Sequence, residues 1–246
     1  NPDRYEQKFF YCDVMVVGGG VNGLVAGLAA ARTGIDVLIV DEKPQLGGYI
    51  SNSEAKINNT NAMSWIKEIV SELESLDNVT ILKRTTAMGY YDYNYLTALQ
   101  KVTNHLSELV KNSPRERYWR IRSKKVILSQ GAFERPLVFS GNDKPGVMMA
   151  SAGHVFLKEY GVLCGKAVVL FTNNDHAYLC AIDFSKKGAK VIVIDNRENI
   201  SEKLTDSCNQ LDIRIYLSYS IINTHGYQKV QGVEIQKIDS HTNNLL

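Results

Sequence analysis

The chain has 246 residues, 44% hydrophobic and 22% charged, with a formal net charge of +2. That length suits one large or two ordinary globular domains, and the near balance of charge gives no electrostatic footing for nucleic acid. No apolar run approaches the roughly 20 residues that a membrane helix needs, so no membrane association is expected.

The chain starts NPDRYEQKFF, without Met. This fits a fragment or a processed chain with no signal pattern. An apolar strand is predicted over Val14–Val17. It runs into Gly18-Gly19-Gly20-Val21-Asn22-Gly23, and a small-residue helix follows over 21–33. A second apolar strand, Val37–Val40, ends in Asp41-Glu42-Lys43. A GxGxxG motif alone is weak, but between a strand and a helix, with an acid at the right distance, it specifies a dinucleotide-binding unit. Gly18 serves the turn and Gly20 lets a pyrophosphate approach bare backbone. Gly23 and Gly27 let the helix press on the strands. The helix start offers N–H groups and a positive dipole end to phosphate. Asp41 is the expected acceptor for the ribose hydroxyls, with Glu42 a second candidate, and an acid there disfavours a 2′-phosphate. Gly47 and Gly48 are expected to fold over the nucleotide.

Apolar residues at Ile66, Ile69, Val70, Leu73 and Leu76 predict an amphipathic helix over 61–76, and Asn78–Lys83 a strand. Ala87 is expected to continue toward the nucleotide. Tyr90, Tyr91, Tyr93 and Tyr95 form a cluster suited to packing or an interface. Lys111–Glu116 reads as a polar turn, Arg117–Arg122 as a half-exposed strand, and Lys125–Gly131 as a buried strand whose Gly131 lines the nucleotide cleft. Ser140–Gly146 is a dense turn cluster, predicted to link two domains.

The chain then repeats itself. At one constant offset and without a gap, Gly18 falls on Thr172, Gly23 on Ala177, Gly34 on Gly188 and Asp41 on Asp195. A second βαβ unit is therefore expected, with strand Ala167–Phe171, a helix near 175–187 and strand Val191–Ile194. Its loop has lost the glycines. Asn174 places a side chain where bare backbone is needed, so this loop is expected to hold no dinucleotide. Asn tolerates positive φ, which would let the turn itself survive. Asp175 reads as a cap or first-turn acid. Lys229–Ile238 is read as one arm of a hairpin. Cys12, Cys164, Cys180 and Cys208 lie far apart without a CxxC pair. No disulfide framework or metal site is expected, and a cytoplasmic setting is. No catalytic acid or base is nominated.

The fold class expected is α/β, with two Rossmann-like dinucleotide-binding domains of glutathione-reductase type, the second inserted in the first. The domains are placed at 1–142, incomplete at its C-terminal side, and 143–246. This plan resembles the two-dinucleotide-domain flavoprotein disulfide reductases, although the redox cysteine pair those enzymes need is missing. The stretches RYEQKFFYCDVMVVGGG, DEKPQLGG, RTTAMGYYDYNYL, RERYWRIRSKKVILSQGAFERPLVFSGNDKPGVM and FTNNDHAY resemble the alpha subunits of heterotetrameric sarcosine oxidases across nearly the whole chain. Departures are Val21-Asn22, where that family usually has Pro-Ala, and Gln130, where many of its members have Thr. The resemblance implies NAD in the first loop, with FAD as the alternative. It implies flavin in a partner subunit and other subunits of a hetero-oligomeric oxidase as partners. The implied reaction converts sarcosine to glycine, passes the one-carbon unit to tetrahydrofolate and reduces oxygen to hydrogen peroxide. The alternatives are an FAD-binding alpha subunit of a related dye-linked proline, opine or cyanide-forming dehydrogenase, or a structural subunit with a non-catalytic nucleotide.

Overall fold

The computed structural model describes residues 3–52, 56–108, 110 and 112–239. It divides into two compact units, 1–132 and 133–246. In the first unit, β1 (Tyr5–Val17) leads into α1 (Val21–Ala31) and β2 (Val37–Val40). A 3-10 turn over Gly48–Asn52 and two short strands, β3 (Lys56–Ile57) and β4 (Thr60–Asn61), precede α2 (Ala62–Glu74). Four strands complete the unit: β5 (Val79–Leu82), β6 (Thr85–Tyr91), β7 (Tyr95–Lys101) and β8 (Glu116–Leu128). They form a six-stranded sheet of order β5-β2-β1-β8-β7-β6, parallel from β5 to β8 and antiparallel from there to β6.

Alternation decides what each face packs on. Val14 and Val16 of β1 and Ile39 of β2 lie in one core with Leu24 and Leu28 of α1 and Ile66 and Leu73 of α2. Met15, Leu38 and Val40 enter a second core with Leu96, Trp119 and Ile121. The helices α1 and α2 follow from the apolar spacing and from caps. Asn61 Oδ1 accepts the Met63 N–H at 2.9 Å, and the Asn78 amide donates to the Ala31 and Ile35 carbonyls beyond α1.

Two expectations change here. The half-exposed and buried strands predicted over 117–122 and 125–131 are one thirteen-residue strand, β8. Its last part is not buried, and Leu128 is 54% exposed. The cause is pairing: β7 flanks β8 only from Glu116 to Arg122, so Lys125–Leu128 has a neighbour on the β1 side alone. The first strand also begins nine residues earlier than Val14, because the alternating YEQKFFYC segment pairs with β8. The tyrosines sit around the β6–β7 tip, where Tyr93 and Asn94 adopt positive φ. Of the predicted turn 111–116, Lys111 lies outside the described residues.

The second unit holds α3 (Ala150–Tyr160), β9 (Ala167–Thr172), α4 (His176–Lys186), β10 (Lys190–Asp195), α5 (Glu202–Asn209), β11 (Arg214–Leu217), β12 (Tyr219–His225) and β13 (Gly232–Lys237). Strands β11-β10-β9 form a parallel sheet, and β12 and β13 an antiparallel pair. Leu157 of α3, Tyr178, Ala181 and Phe184 of α4, Val191 and Val193 of β10 and Cys208 of α5 build its core. No side chain of α3's own caps its start. The Glu134 carboxylate reaches from outside the helix and takes the Ala150 and Ser151 N–H groups at 3.3 and 2.8 Å.

The turn cluster 140–146 is not a free spacer. Thr224 of β12 donates from Oγ1 to the Ser140 and Gly141 carbonyls, and Lys144 Nζ donates back to the Thr224 carbonyl. The Val230 N–H reaches the Pro145 carbonyl at 2.9 Å. Glycines at 141 and 146, both at positive φ, let the chain bend closely enough for these bonds.

Candidate functional site

The carboxyl ends of β1 and β2 meet at the glycine loop. Gly18 turns out of β1 with φ +101°, and a Cβ there would overlap the Ser129 carbonyl. A Cβ at Gly23 would run into the Gly18 carbonyl, and one at Gly27 would come within 2.7 Å of Ile39 Cδ1. These three glycines are required by the protein's own packing. Gly20 is different. Its φ is −72°, and the nearest heavy atom to a Cβ would be Gly48 Cα, at 4.0 Å. Nothing in the fold forbids a side chain at Gly20, so the open space serves whatever approaches the loop from outside. Gly20 is also the N-cap of α1, with no side chain bonded to the free N–H groups and no acid in the first turn. An uncapped helix start with bare backbone in front of it suits an anion such as a pyrophosphate.

Asp41 stands at the end of β2. Its Oδ2 accepts the Gly19 N–H at 2.6 Å and its Oδ1 the Lys43 N–H at 2.7 Å. Each carboxylate oxygen keeps a second lone pair, so Asp41 both fixes the glycine loop and remains an acceptor toward a ribose. Glu42 is exposed. Gly47, at φ +118°, donates its N–H to the Gly19 carbonyl at 2.8 Å and bridges Gly20. Gly48, at φ +62°, lies so close to Gly20 that a Cβ on it would stand 3.1 Å from Gly20 Cα. The loop 46–48 is therefore laid along the glycine loop.

Val21 and Asn22 open α1. Ala87 lies on β6, two residues beyond Thr85, whose N–H donates to the Asp41 carbonyl at 2.7 Å. Gly131 follows Ser129 and Gln130, the residues that abut Gly18, and has φ +74°. Gly18, Gly20, Gly23, Asp41, Lys43, Gly47 and Gly48 thus form one cluster. Ala87 and Gly131 are tied to it through their chain neighbours. Gly19 was not singled out from the sequence, yet it joins Asp41 to the loop. Its Cβ would strike Leu46, and the run of three glycines was the available signal.

The repeat in the second unit has the same frame and a different interior. Thr172 Oγ1 accepts the Asn174 N–H at 3.1 Å, and Asn174 Oδ1 accepts the His176 N–H at 3.0 Å. The α4 start is thus capped from within. Asn174, not Asp175, supplies that cap, and Asn174 does not adopt positive φ. Asp195, fully buried, takes the Tyr178 hydroxyl at 2.8 Å and the Arg197 guanidinium at 2.8 Å, and Arg197 reaches on to Asp175 at 2.7 Å. Hydrogen bonding to Asp195 drives the Arg197 pKa up. Burial, then the bond to Asp195, pushes the Tyr178 phenol up. The acid that matches Asp41 therefore faces a guanidinium and a phenol of its own chain.

None of the four cysteines is in a disulfide among the described residues, and burial raises the Cys12 and Cys208 thiols. Among the described residues, no group of three His, Cys, Asp or Glu could hold a metal, and no helix is long and apolar enough to cross a membrane.

Known proteins place this geometry. Residues 13–112 match the family described as FAD dependent oxidoreductase. The fold agrees with that of thioredoxin reductase from T. acidophilum, at TM-score 0.68 and 18% identity, over 96% of this chain and 73% of that one. More particularly, the chain is a homologue of sarcosine oxidase alpha subunits over most of its length. It is 42% identical over 198 residues to "Sarcosine oxidase subunit alpha" of Rhizobium meliloti (strain 1021), covering 80% of this chain and 20% of that protein. It is 38% identical over 226 residues to the protein of the same name from Corynebacterium sp. (strain P-1), covering 91% of this chain and 23% of that one. The chain thus spans about a fifth of the length of these relatives.

Proposed function

We propose that this chain is the dinucleotide-holding part of the alpha subunit of a sarcosine oxidase complex. The observation that carries the proposal is Gly20. Its Cβ space is left open by the fold, in front of an uncapped helix start and beside the carboxylate at the end of β2. Gly18, Gly20 and Gly23 would hold the pyrophosphate, and the N–H groups of Val21 and Asn22 would donate to it. Asp41 accepts from the ribose hydroxyls, with Glu42 and Lys43 at the rim. Gly47 and Gly48 close over the adenosine, and Ala87 and Gly131 border the same ligand. These residues bind and orient, and none is assigned a proton transfer.

In the whole complex, the methyl–nitrogen bond of sarcosine is oxidised, glycine is released and the one-carbon unit passes to tetrahydrofolate. The electron pair reaches oxygen as hydrogen peroxide. A flavin in a partner subunit would supply that oxidation chemistry, and the other subunits of the hetero-oligomer would be the chain's partners. Four cysteines without a described disulfide suit a cytoplasmic setting.

NAD is the first choice of ligand, from the likeness to sarcosine oxidase alpha subunits. FAD is the second reading, favoured by the match of residues 13–112, which include the whole glycine loop and Asp41, to FAD dependent oxidoreductases. Quantifying the nucleotides released from purified, denatured complex separates them: NAD beside the partner subunit's flavin supports the first, and FAD in excess of that flavin, with no NAD, supports the second. A complex that releases no NAD and no flavin beyond the partner's share refutes the dinucleotide reading.

A further inference from the structure

Where β1, β8 and β7 lie side by side, the first unit's sheet has one face in the core and one face open. On the open face, cross-strand pairing sets Phe9 beside Arg120, and Arg122 between Tyr11 and Tyr95. Phe9 is 72% and Tyr11 64% exposed, although both lie within a regular strand. The Arg120 guanidinium lies 5.8 Å from the Phe9 ring centre, and that of Arg122 lies 4.8 Å from Tyr95. A cavity of about 550 Å³ opens among these side chains.

Arg32, Arg115, Arg117 and Arg197 have carboxylate partners, which are Glu72, Asp3, Glu6 and Asp195. Arg120 and Arg122 are in none of the described ion pairs. Arg122 reaches only the Asp92 and Tyr93 carbonyls, at 3.5 and 3.3 Å. Stacking on a ring holds a guanidinium plane in place and leaves its N–H edge to bond outward. Aromatic rings and arginines on an open, rigid sheet are also the composition of interface anchors.

We propose that this face is a docking surface for a partner subunit that presents aspartate or glutamate side chains to Arg120 and Arg122, with apolar contact to Phe9 and Tyr11. Charge complementarity selects this occupant. A second copy of the chain docked face to face would set like charges together. A polynucleotide would need more than two cations, on a chain whose net charge is +2. The inference rests on the reading of the chain as a subunit but not on the identity of its nucleotide.

The test uses the full-length protein in its assembled complex. A photo-crosslinking phenylalanine analogue replaces Phe9, and the attached peptides are sequenced by mass spectrometry. In parallel, the Arg120→Glu, Arg122→Glu double variant is titrated against the purified partner. The expected results are adducts on an acidic segment of another subunit and at least a tenfold loss of affinity. Both side chains are exposed, so the melting temperature and the nucleotide content per chain stay unchanged. Adducts confined to the same polypeptide, to a second copy or to nucleic acid overturn the proposal, as does unchanged affinity. A wild-type complex that assembles but holds no nucleotide on this chain counts against the dinucleotide reading alone.

Discussion

Replacing Gly20 with alanine separates the needs of the fold from those of a ligand. The added Cβ meets nothing nearer than Gly48 Cα at 4.0 Å, and φ at −72° is ordinary for alanine. Stability should change little, because the gain from restricting the unfolded chain, up to about 1 kcal/mol, is opposed by the poorer fit of alanine at an N-cap. Binding should suffer, since the methyl occupies the space through which a pyrophosphate reaches the α1 N–H groups. Losing one charge-assisted hydrogen bond costs about 1.5–3 kcal/mol, or roughly a ten- to hundredfold weaker dissociation constant. The control is Gly23→Ala, whose Cβ would collide with the Gly18 carbonyl and should unfold the unit whether or not ligand is present. The assay is calorimetric titration with NAD and with FAD, beside thermal denaturation of the ligand-free protein. If Gly20→Ala binds as tightly as the wild type, or melts as early as Gly23→Ala, the argument from open space fails.

The remaining predictions concern the acids. Asp41→Ala frees the Gly19 and Lys43 N–H groups, so both nucleotide affinity and protection of residues 18–20 from hydrogen exchange should fall. Arg197→Ala leaves the fully buried Asp195 carboxylate with only the Tyr178 hydroxyl and the Arg197 backbone N–H. A loss of roughly 3 kcal/mol is expected in denaturant titration. The same variant should still bind no more than one dinucleotide per chain by equilibrium dialysis, because Asn174 continues to cap α4. Asp183 predicts a pH effect. Burial pushes its carboxyl up, but bonds from His154 and Lys158, at 2.7 and 2.9 Å, outweigh this and hold it below the usual range. A depressed folded-state pKa contributes stability that is complete above the unfolded value, about 3.9, and is lost as pH falls through the folded value. Asp183→Asn should therefore flatten the acid limb of stability against pH and lower the plateau at neutral pH.

The first unit could be read from its residues because local requirements coincide there. Gly18 needs a positive φ, Gly23 and Gly27 need helix–strand contact, and the apolar runs over Val14–Val17 and Val37–Val40 need burial on both faces. Each demand lies within a few residues of the next, so sequence order carries it. What stayed hidden depends on distant pairing. The exposure of Leu128 follows from where β7 stops. The attachment of 140–146 follows from Thr224, some eighty positions on. The cap of α3 comes from Glu134, outside the helix it serves. The Phe9–Arg120 face needed the register between β1 and β8, which no local pattern states.

On the proposed reading, the two βαβ frames reach opposite outcomes through what their second-strand acids face. Asp41 is held by two backbone N–H groups, neutral donors that leave a negative site at the mouth of an uncapped helix. Asp195 is neutralised by Arg197, whose side chain also takes Asp175 at the start of α4. A dinucleotide entering the second frame would have to displace a charge-assisted bond from a fully buried carboxylate and replace the Asn174 cap, and the fold supplies no substitute partner for either. The cradle is therefore closed by two independent devices. Restoring glycine at Asn174 alone should create no nucleotide site, because Arg197 would still hold the acid. A measurable dinucleotide affinity in the second unit of an Asn174→Gly variant would show that the missing glycine, and not the guanidinium, was the barrier.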